Sequence, residues 1–308
     1  MNILTIITTD DSSARLNACL NALTQQTTRN DALVVIHNGK KQPGALTKTS
    51  HRSFVWFSAQ NNHARRTKNV AANRATEEIL LFINDDCVIP KGYVAYIKQA
   101  SKNDRQILYQ GKNRFVFPKN DWVNDVFVAI DEYSWMQTMK QPAWRIDRRL
   151  TYLHSECFYL KKSTLLQLAQ RFAPNDIPLD DGAALSIALQ FLGYSFRYAP
   201  ELDIRHYKNN LTFSSLYKKA FEQGRKRARL EKQFEVSPKI KRLFPQFDSS
   251  REPRLAEEAY IMQALSHKSF LFLMFVAGFL MIRRLCHWLG SLIARLYVAL
   301  PPSIMHST

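Results

Sequence analysis

The sequence predicts an α/β domain, a mainly parallel sheet with helices on both faces, followed by a basic and apolar helical extension. Three observations carry this. Short strand-like runs alternate with helix-like segments through the first half of the chain. Those runs are apolar almost without interruption, the pattern of strands covered on both faces. Apolar residues make up 46% of the 308, and aromatics 12%, which is enough for a sizeable core.

The elements follow in order. Ile3–Ile7 is a β-branched strand, and Ser12 or Ser13 can cap a helix with Leu16, Leu20 and Leu23 on one face. "ALVVIHNG" is a second strand closed by an Asn-Gly turn, and "RSFVWFSA" a third. "RRTKNVAANRATEE" reads as a helix with a face of small residues, and "EILLFIND" as a fourth strand. The stretch Gln110–Glu156 is aromatic-rich and reads as irregular. "SECFYLKKSTLLQLAQRF" is a strand then a helix. A helix then starts near Asp180, closes at Gly193 and leads into a strand ending near His206. No internal repeat is present. Three regions are expected: 1–208 as the α/β domain, 209–265 as a basic helical region, and 266–308 as an apolar, amphipathic tail.

Glycines number only 9 and prolines 12, which excludes a low-complexity chain. The formal charge of +17 implies an anionic partner. Between Arg205 and Arg254 fourteen Lys/Arg face five Asp/Glu, so the charge is a block. Nucleic acid is not the expected partner, because the aromatic residues are not interleaved with the basic ones as a stacking platform requires. Cys19, Cys87, Cys157 and Cys286 show no C-x-x-C spacing, and a reducing compartment is the default. "MNILTIITTDD" lacks a basic leader and reads as a strand, so a cytoplasmic protein is expected.

Phe270–Ile282 is thirteen uncharged residues, short of the about 20 that a spanning helix needs. Beyond it, Leu285, Trp288, Leu289, Leu292, Ile293 and Leu296 fall on one helical face, and Arg284, His287, Ser291 and Arg295 on the other. That pattern suits a helix lying in a membrane interface; one packed on the protein's own core and a true span are the other readings. The expected location is the inner face of the plasma membrane, peripherally attached.

In parallel α/β sheets ligands sit at the carboxyl ends of the strands. Thr8–Asp11, His37–Gly39 and Asn84–Asp86 reach that edge. Two adjacent carboxylates, Asp85 and Asp86, delivered there by a buried strand repel each other, and a divalent cation relieves the repulsion. Oxygen ligands suit Mg or Mn. Asp180-Asp181 opens a helix, where it serves either as a cap or as a base taking a proton from a hydroxyl. His206 is a further metal ligand or a structural histidine.

These stretches resemble family 2 glycosyltransferases of the GT-A fold from about Ile3 to His206. The resemblance rests on "ILTIITTDDSSARLNACLNALTQQT", "ALVVIHNGK", "TKNVAANRATEEILLFINDDCVIP" and "IPLDDGAALSIALQFLGYSFRYAPELDIRHY", in order and at fitting distances. It implies an inverting transferase that moves a sugar from a nucleotide-sugar donor to a glycan or lipid-linked acceptor of the cell envelope, with Mg or Mn. Asn84-Asp85-Asp86 takes the place of the D-x-D motif, with Asp86 on the metal and diphosphate and Asp85 near the sugar or ribose. Asp181 takes the place of the catalytic base, with Asp180 beside it, and His206 that of a histidine on the metal or diphosphate. Lys68 and Asn69 stand where the family has Arg-Asn. Thr8, Thr9, Asp11, His37 and Asn38 fall on the donor side, and Arg225 is a candidate contact to donor phosphate. The chain departs from the family at His37, Asn84, Thr8 and Ala183: the first two replace acids, Thr8 a common proline, and Ala183 a further acid. Those departures leave open a module that binds nucleotide sugars without turnover; a basic membrane adaptor is the other alternative.

Overall fold

The computed structural model describes residues 1–9, 14–37, 54–58, 64–103, 106–119, 121–150, 152–172, 177–209, 211–233, 261–265 and 270–299. They fall into two compact units, one made of residues 1–116 and 141–208, the other of 117–140 and 209–308.

The first unit is built on a five-stranded sheet. Its strands are β1 (Ile3–Thr9), β2 (Ala32–His37), β3 (Phe54–Ser58), β4 (Ile79–Asn84) and, later in the chain, β9 (Cys157–Lys161), in the order β3-β2-β1-β4-β9. The first four are parallel, and β9 runs antiparallel to β4. Helices α1 (Ala14–Thr24) and α2 (Ala64–Arg74) supply the crossovers. Ile79, Leu80, Leu81 and Phe82 have no exposed surface, so consecutive residues are buried on both faces as the apolar runs predict. Phe82 stacks on Phe158 of β9 with ring centroids 4.8 Å apart. Ser12 and Ser13, expected to cap α1, lie outside the described residues, and α1 begins at Ala14.

Between them come β5 (Cys87–Val88), α3 (Tyr93–Ser101), β6 (Ile107–Gln110) and β7 (Asn113–Val116). The chain then forms α4 (Trp122–Lys140), α5 (Pro142–Asp147) and β8 (Arg149–Leu150). The stretch expected to be irregular therefore contains a 19-residue helix. Its apolar residues show little sidedness, because aromatic and aliphatic residues sit all round α4, and this hid the helical period. After β9 come α6 (Lys162–Ala169), α7 (Gly182–Phe191), β10 (Ser195–Tyr198), a 3-10 turn over Pro200–Leu202, and β11 (Ile204–Tyr207). The single strand expected before His206 is two strands in two small sheets, β6-β10-β8 and β5-β11-β7, divided by the turn at Pro200. Gly193 closes α7 with φ 86°.

Asp31 anchors the sheet at the end away from the strand tips. Its carboxylate accepts from Ile3 N at 3.0 Å and Thr28 N at 2.7 Å, and pairs with Lys98 of α3 at 2.8 Å. Burial opposes the charge of Asp31, but Lys98 and these donors outweigh it and hold the carboxyl below its ordinary range.

The second unit is helical. It holds α4, α8 (Phe213–Gln233) and α9 (Phe270–Ala299). Val126, Leu216, Ile261, Leu265, Val276 and Phe279 form its core. Tail residues expected as an apolar run followed by an amphipathic helix form one 30-residue helix, because the two segments share a continuous helical phase across Arg283-Arg284. Within it, Leu273–Ile293 is long and apolar enough to cross a membrane by length and composition.

Candidate active site

The tips of the parallel strands are aligned by register. Thr9 pairs with His37, Thr8 with Asn84, and His37 with Ser58. This puts Thr8, Thr9, His37 and Asn84 on one sheet edge, as expected. Asp11 and Asn38, expected beside them, lie outside the described residues. His37 is buried at the end of β2.

Hydroxyls of β1 hold the first two residues of the Asn-Asp-Asp turn. Thr8 Oγ1 donates to Asn84 Oδ1 at 3.2 Å, and Thr9 Oγ1 donates to Asp85 Oδ2 at 2.6 Å. Thr8 and Thr9 thus act on the turn itself. An asparagine suits the first position because its amide oxygen accepts the Thr8 hydroxyl without adding a charge.

Asp86 points elsewhere. Its Oδ2 lies 3.1 Å from His206 Nε2 and 3.1 Å from Lys208 Nζ, and its carbonyl accepts from Tyr207 N at 2.7 Å. Burial works against the Asp86 charge. His206 and Lys208 overcome that, and the carboxyl is held far below the usual carboxylate range. Cys87 completes the group: β5 pairs antiparallel with β11 so that Cys87 faces His206, and Cys87 Sγ lies 3.6 Å from Asp86 Oδ1. The candidate ligand atoms of Asp86, Cys87 and His206 all fall within 4.8 Å of one another.

His206 decides whether this group fits a cation. The residue has no exposed surface, and neither ring nitrogen has a hydrogen-bond partner. Its Nε2 nonetheless faces the Asp86 carboxylate, 3.1 Å from Oδ2. A buried imidazole without a well-aligned hydrogen bond is costly, and a metal ion shared with the Asp86 carboxylate would offset that cost. Carboxylate oxygen and imidazole nitrogen suit Mn or Mg, while burial pushes the Cys87 thiol well up and disfavours the thiolate that would bind a metal.

Three further groups around this cluster escaped the sequence reading: His154, Glu156 and Lys208. His154 to Glu156 immediately precede β9, and Asn84 N donates to Glu156 O at 2.8 Å. Because β9 is antiparallel, its start lies where the parallel strands end. A search restricted to carboxyl ends of strands cannot find it; an antiparallel edge strand beginning "HSEC" was the available signal. Burial raises the Glu156 carboxyl, but the neighbouring His154, His206 and Lys208 outweigh it and lower it. Burial lowers the His154 imidazole, with Glu156 opposing and His206 adding to the fall.

Asp180-Asp181 attaches to the same segment. Asp181 is the N-cap of α7, and its Oδ1 accepts from Ala183 N and Ala184 N, both at 3.1 Å. The helix start sits on the Leu153–Ser155 backbone: Leu153 N donates to Ser186 Oγ at 2.7 Å, and a Cβ on Gly182 would lie 3.0 Å from Ser155 N. Gly182, next to Asp181, and Cys87, next to Asp86, therefore both meet one short segment, Leu153–Glu156. Asp180 is exposed beside Asp181. Lys68 of α2 is buried; burial lowers its pKa, and the charges of Asp180 and Glu156 oppose the fall. Asn69 donates to Ile177 O at 3.1 Å, and its own Oδ1 is buried without a hydrogen-bond partner. Arg225 lies on α8 in the second unit.

A sheet of this order, with an acidic turn after β4 and a histidine closing β11 against it, is a GT-A glycosyltransferase domain. The chain belongs to glycosyl transferase family 2, which residues 5–166 match. It is thus a glycosyltransferase of a nucleotide-sugar-using type. Its fold is similar to that of the mannosyltransferase PcManGT from Pyrobaculum calidifontis in complex with GDP-Man and Mn2+, with a TM-score of 0.59 and 15% identity over 96% of this chain and 86% of that one. It is also similar to GalNAc-T7 with UDP, GalNAc and Mn2+, with a TM-score of 0.52 and 12% identity over 89% of this chain and 56% of that one. No curated protein matches it in sequence.

Proposed function

We propose that this protein moves a sugar from a nucleoside diphosphate sugar to a hydroxyl of a glycan or lipid-linked acceptor of the cell envelope, at the cytoplasmic face of the membrane, with inversion at the anomeric carbon. One observation supports it above the others: the fully buried His206 imidazole set 3.1 Å from the Asp86 carboxylate at the sheet edge. Asp86 and His206 would hold Mn or Mg, with Cys87 beside them. A divalent ion there supplies neutralisation of the diphosphate that leaves. That PcManGT and GalNAc-T7 were both solved with Mn2+ agrees with this.

The chain's own residues do the rest. Thr8 and Thr9 hold Asn84 and Asp85 against β1, so the turn that meets the donor is preorganised. Lys208 places a cation next to Asp86, where diphosphate charge would collect. Asp181 keeps Oδ1 on the helix cap and offers its other oxygen to the acceptor hydroxyl. That hydroxyl oxygen forms the new bond to the anomeric carbon. The bond from that carbon to the diphosphate oxygen breaks with its electron pair, and the hydroxyl proton passes to Asp181. His37, Lys68, Asn69 and Asp180 remain donor- or acceptor-side candidates.

The test is a panel of uridine, guanosine, cytidine and thymidine diphosphate sugars with Mn2+, followed by thermal shift and nucleoside diphosphate release. One base class should raise the melting temperature and be turned over, and chelation should abolish both. Binding without turnover across the panel would make the domain a nucleotide-sugar-binding module. Turnover indifferent to chelation would remove the metal from the reading.

A further inference from the structure

Helix α9 is one-sided in an unusual way. Among its described residues every exposed position is uncharged, including Met281 (69% exposed), Trp288 (57%) and Leu285 (53%). At 3.6 residues per turn the exposed positions fall within an arc of about 140°. Arg283, Arg284 and His287 lie outside that arc and are half-buried. The opposite face packs on α8: Tyr217 and Phe213 both meet Phe279 with centroids 5.2 Å apart. Further along, Gly224 abuts His287 and Ser291, and Gly290 abuts Phe221. The two helices therefore run side by side in the same direction, from the level of Phe279 to that of Ser291.

This pairing decides how α9 meets a bilayer. The segment apolar enough to span, Leu273–Ile293, has Arg283 at its midpoint. If it spanned, α8 would be carried in with it. Lys218, Lys219 and Glu222, all exposed, would then sit between the levels of Phe279 and His287, in the middle of the hydrocarbon. Charges there are strongly disfavoured. If α9 lies flat, its apolar arc enters the interface and α8 stays on the aqueous side.

We infer that α8 and α9 form a two-helix platform that binds an anionic lipid surface in the plane of the bilayer, with the exposed face of α9 inserted and no segment spanning. This deepens the membrane-face reading above and rests on it. Charge selects lipid over a second copy of the chain. Helix α8 carries seven Lys/Arg against two Glu, and α9 three Arg against no acid. Two such faces brought together repel, whereas an anionic leaflet attracts them. The roughly 10 Å between packed helices keeps the charges of α8 within about a Debye length of the headgroups.

The experiment uses the full chain with vesicles of phosphatidylcholine, alone or with phosphatidylglycerol, and lipids brominated near the headgroup or near the chain end. The emission of Trp288 is isolated by difference from Trp288→Phe. Binding should need phosphatidylglycerol and weaken at least tenfold in high salt, and the Trp288 signal should shift blue and be quenched most by the shallow bromines. Leu285→Asp combined with Met281→Asp should abolish vesicle binding while leaving the melting temperature and hydrolysis of soluble donor unchanged. Strongest quenching by chain-end bromines would overturn the platform in favour of a span. Absence of vesicle binding, with or without concentration-dependent dimers in sedimentation, would overturn it too. Donor hydrolysis is read separately, so failure of the platform and failure of the transferase reading are distinguishable.

Discussion

Replacing Gly290 with alanine separates two effects that pull in opposite directions. In a helix interior alanine is favoured over glycine by about 1 kcal/mol, so intrinsic propensity predicts a gain. The packing predicts a loss. A Cβ at Gly290 would be built into the Phe221 carbonyl oxygen and would lie 2.9 Å from its carbon. The obstacle is backbone, which no rotamer change relieves, so α8 and α9 must separate. Overpacking of this kind costs about 1–3 kcal/mol, and rigid backbone on both sides points to the upper end. The net expectation is a loss of about 2 kcal/mol for Gly290→Ala, the balance of the packing loss and the propensity gain. The same sign holds for Gly224→Ala, where a Cβ would lie 2.9 Å from Ser291 N. Gly278, on the exposed arc of the same helix, has nothing within 4 Å, so Gly278→Ala should gain about 1 kcal/mol. Urea unfolding followed by tryptophan fluorescence and far-UV dichroism measures all three. A gain at Gly290 equal to that at Gly278 would refute the close crossing.

The two roles of Asp181 can be parted by chemistry. Asn is as good an N-cap as Asp, so Asp181→Asn should stay within about 0.5 kcal/mol of wild-type stability while transfer falls about 10²–10⁴-fold. Asp181→Ala should lose about 1 kcal/mol as well as transfer, and full activity in the Asn variant would remove the base. Asp31 should give an acid-labile contribution to stability. Its folded pKa lies below its unfolded value of about 3.9, so the contribution is present above that pH and is lost as pH falls toward the folded value. Urea midpoints between pH 6 and pH 3 should drop less steeply in Asp31→Asn than in the wild type; equal slopes would mean Asp31 is not the group.

Much of this fold was legible because buried parallel strands write themselves as unbroken apolar runs. Ile79–Asn84 was found as a strand halting on carboxylates, and β4 ends there. Its partner on the other side was harder. "SECFYL" reads as a strand, but nothing local says that it pairs antiparallel with β4, and so Glu156 and His154 were not seen beside Asp86. Cys87 was missed for a related reason. Metal spacing is sought within short sequence windows, whereas Cys87 and His206 meet only through the pairing of β5 with β11. Helix α4 was hidden by aromatic residues all round it. The residues alone leave Asp181 as cap or base and the family resemblance makes it the base; the structure shows the cap without removing its second oxygen from chemistry.

Manganese binding tests the site most directly. Calorimetric titration of Mn2+ into the full chain with a nucleoside diphosphate present should give one site. Asp86→Asn and His206→Ala should each weaken it by tenfold or more, about 1.4 kcal/mol. If both variants bind Mn2+ as the wild type does, the cluster at the end of β4 is not the metal site.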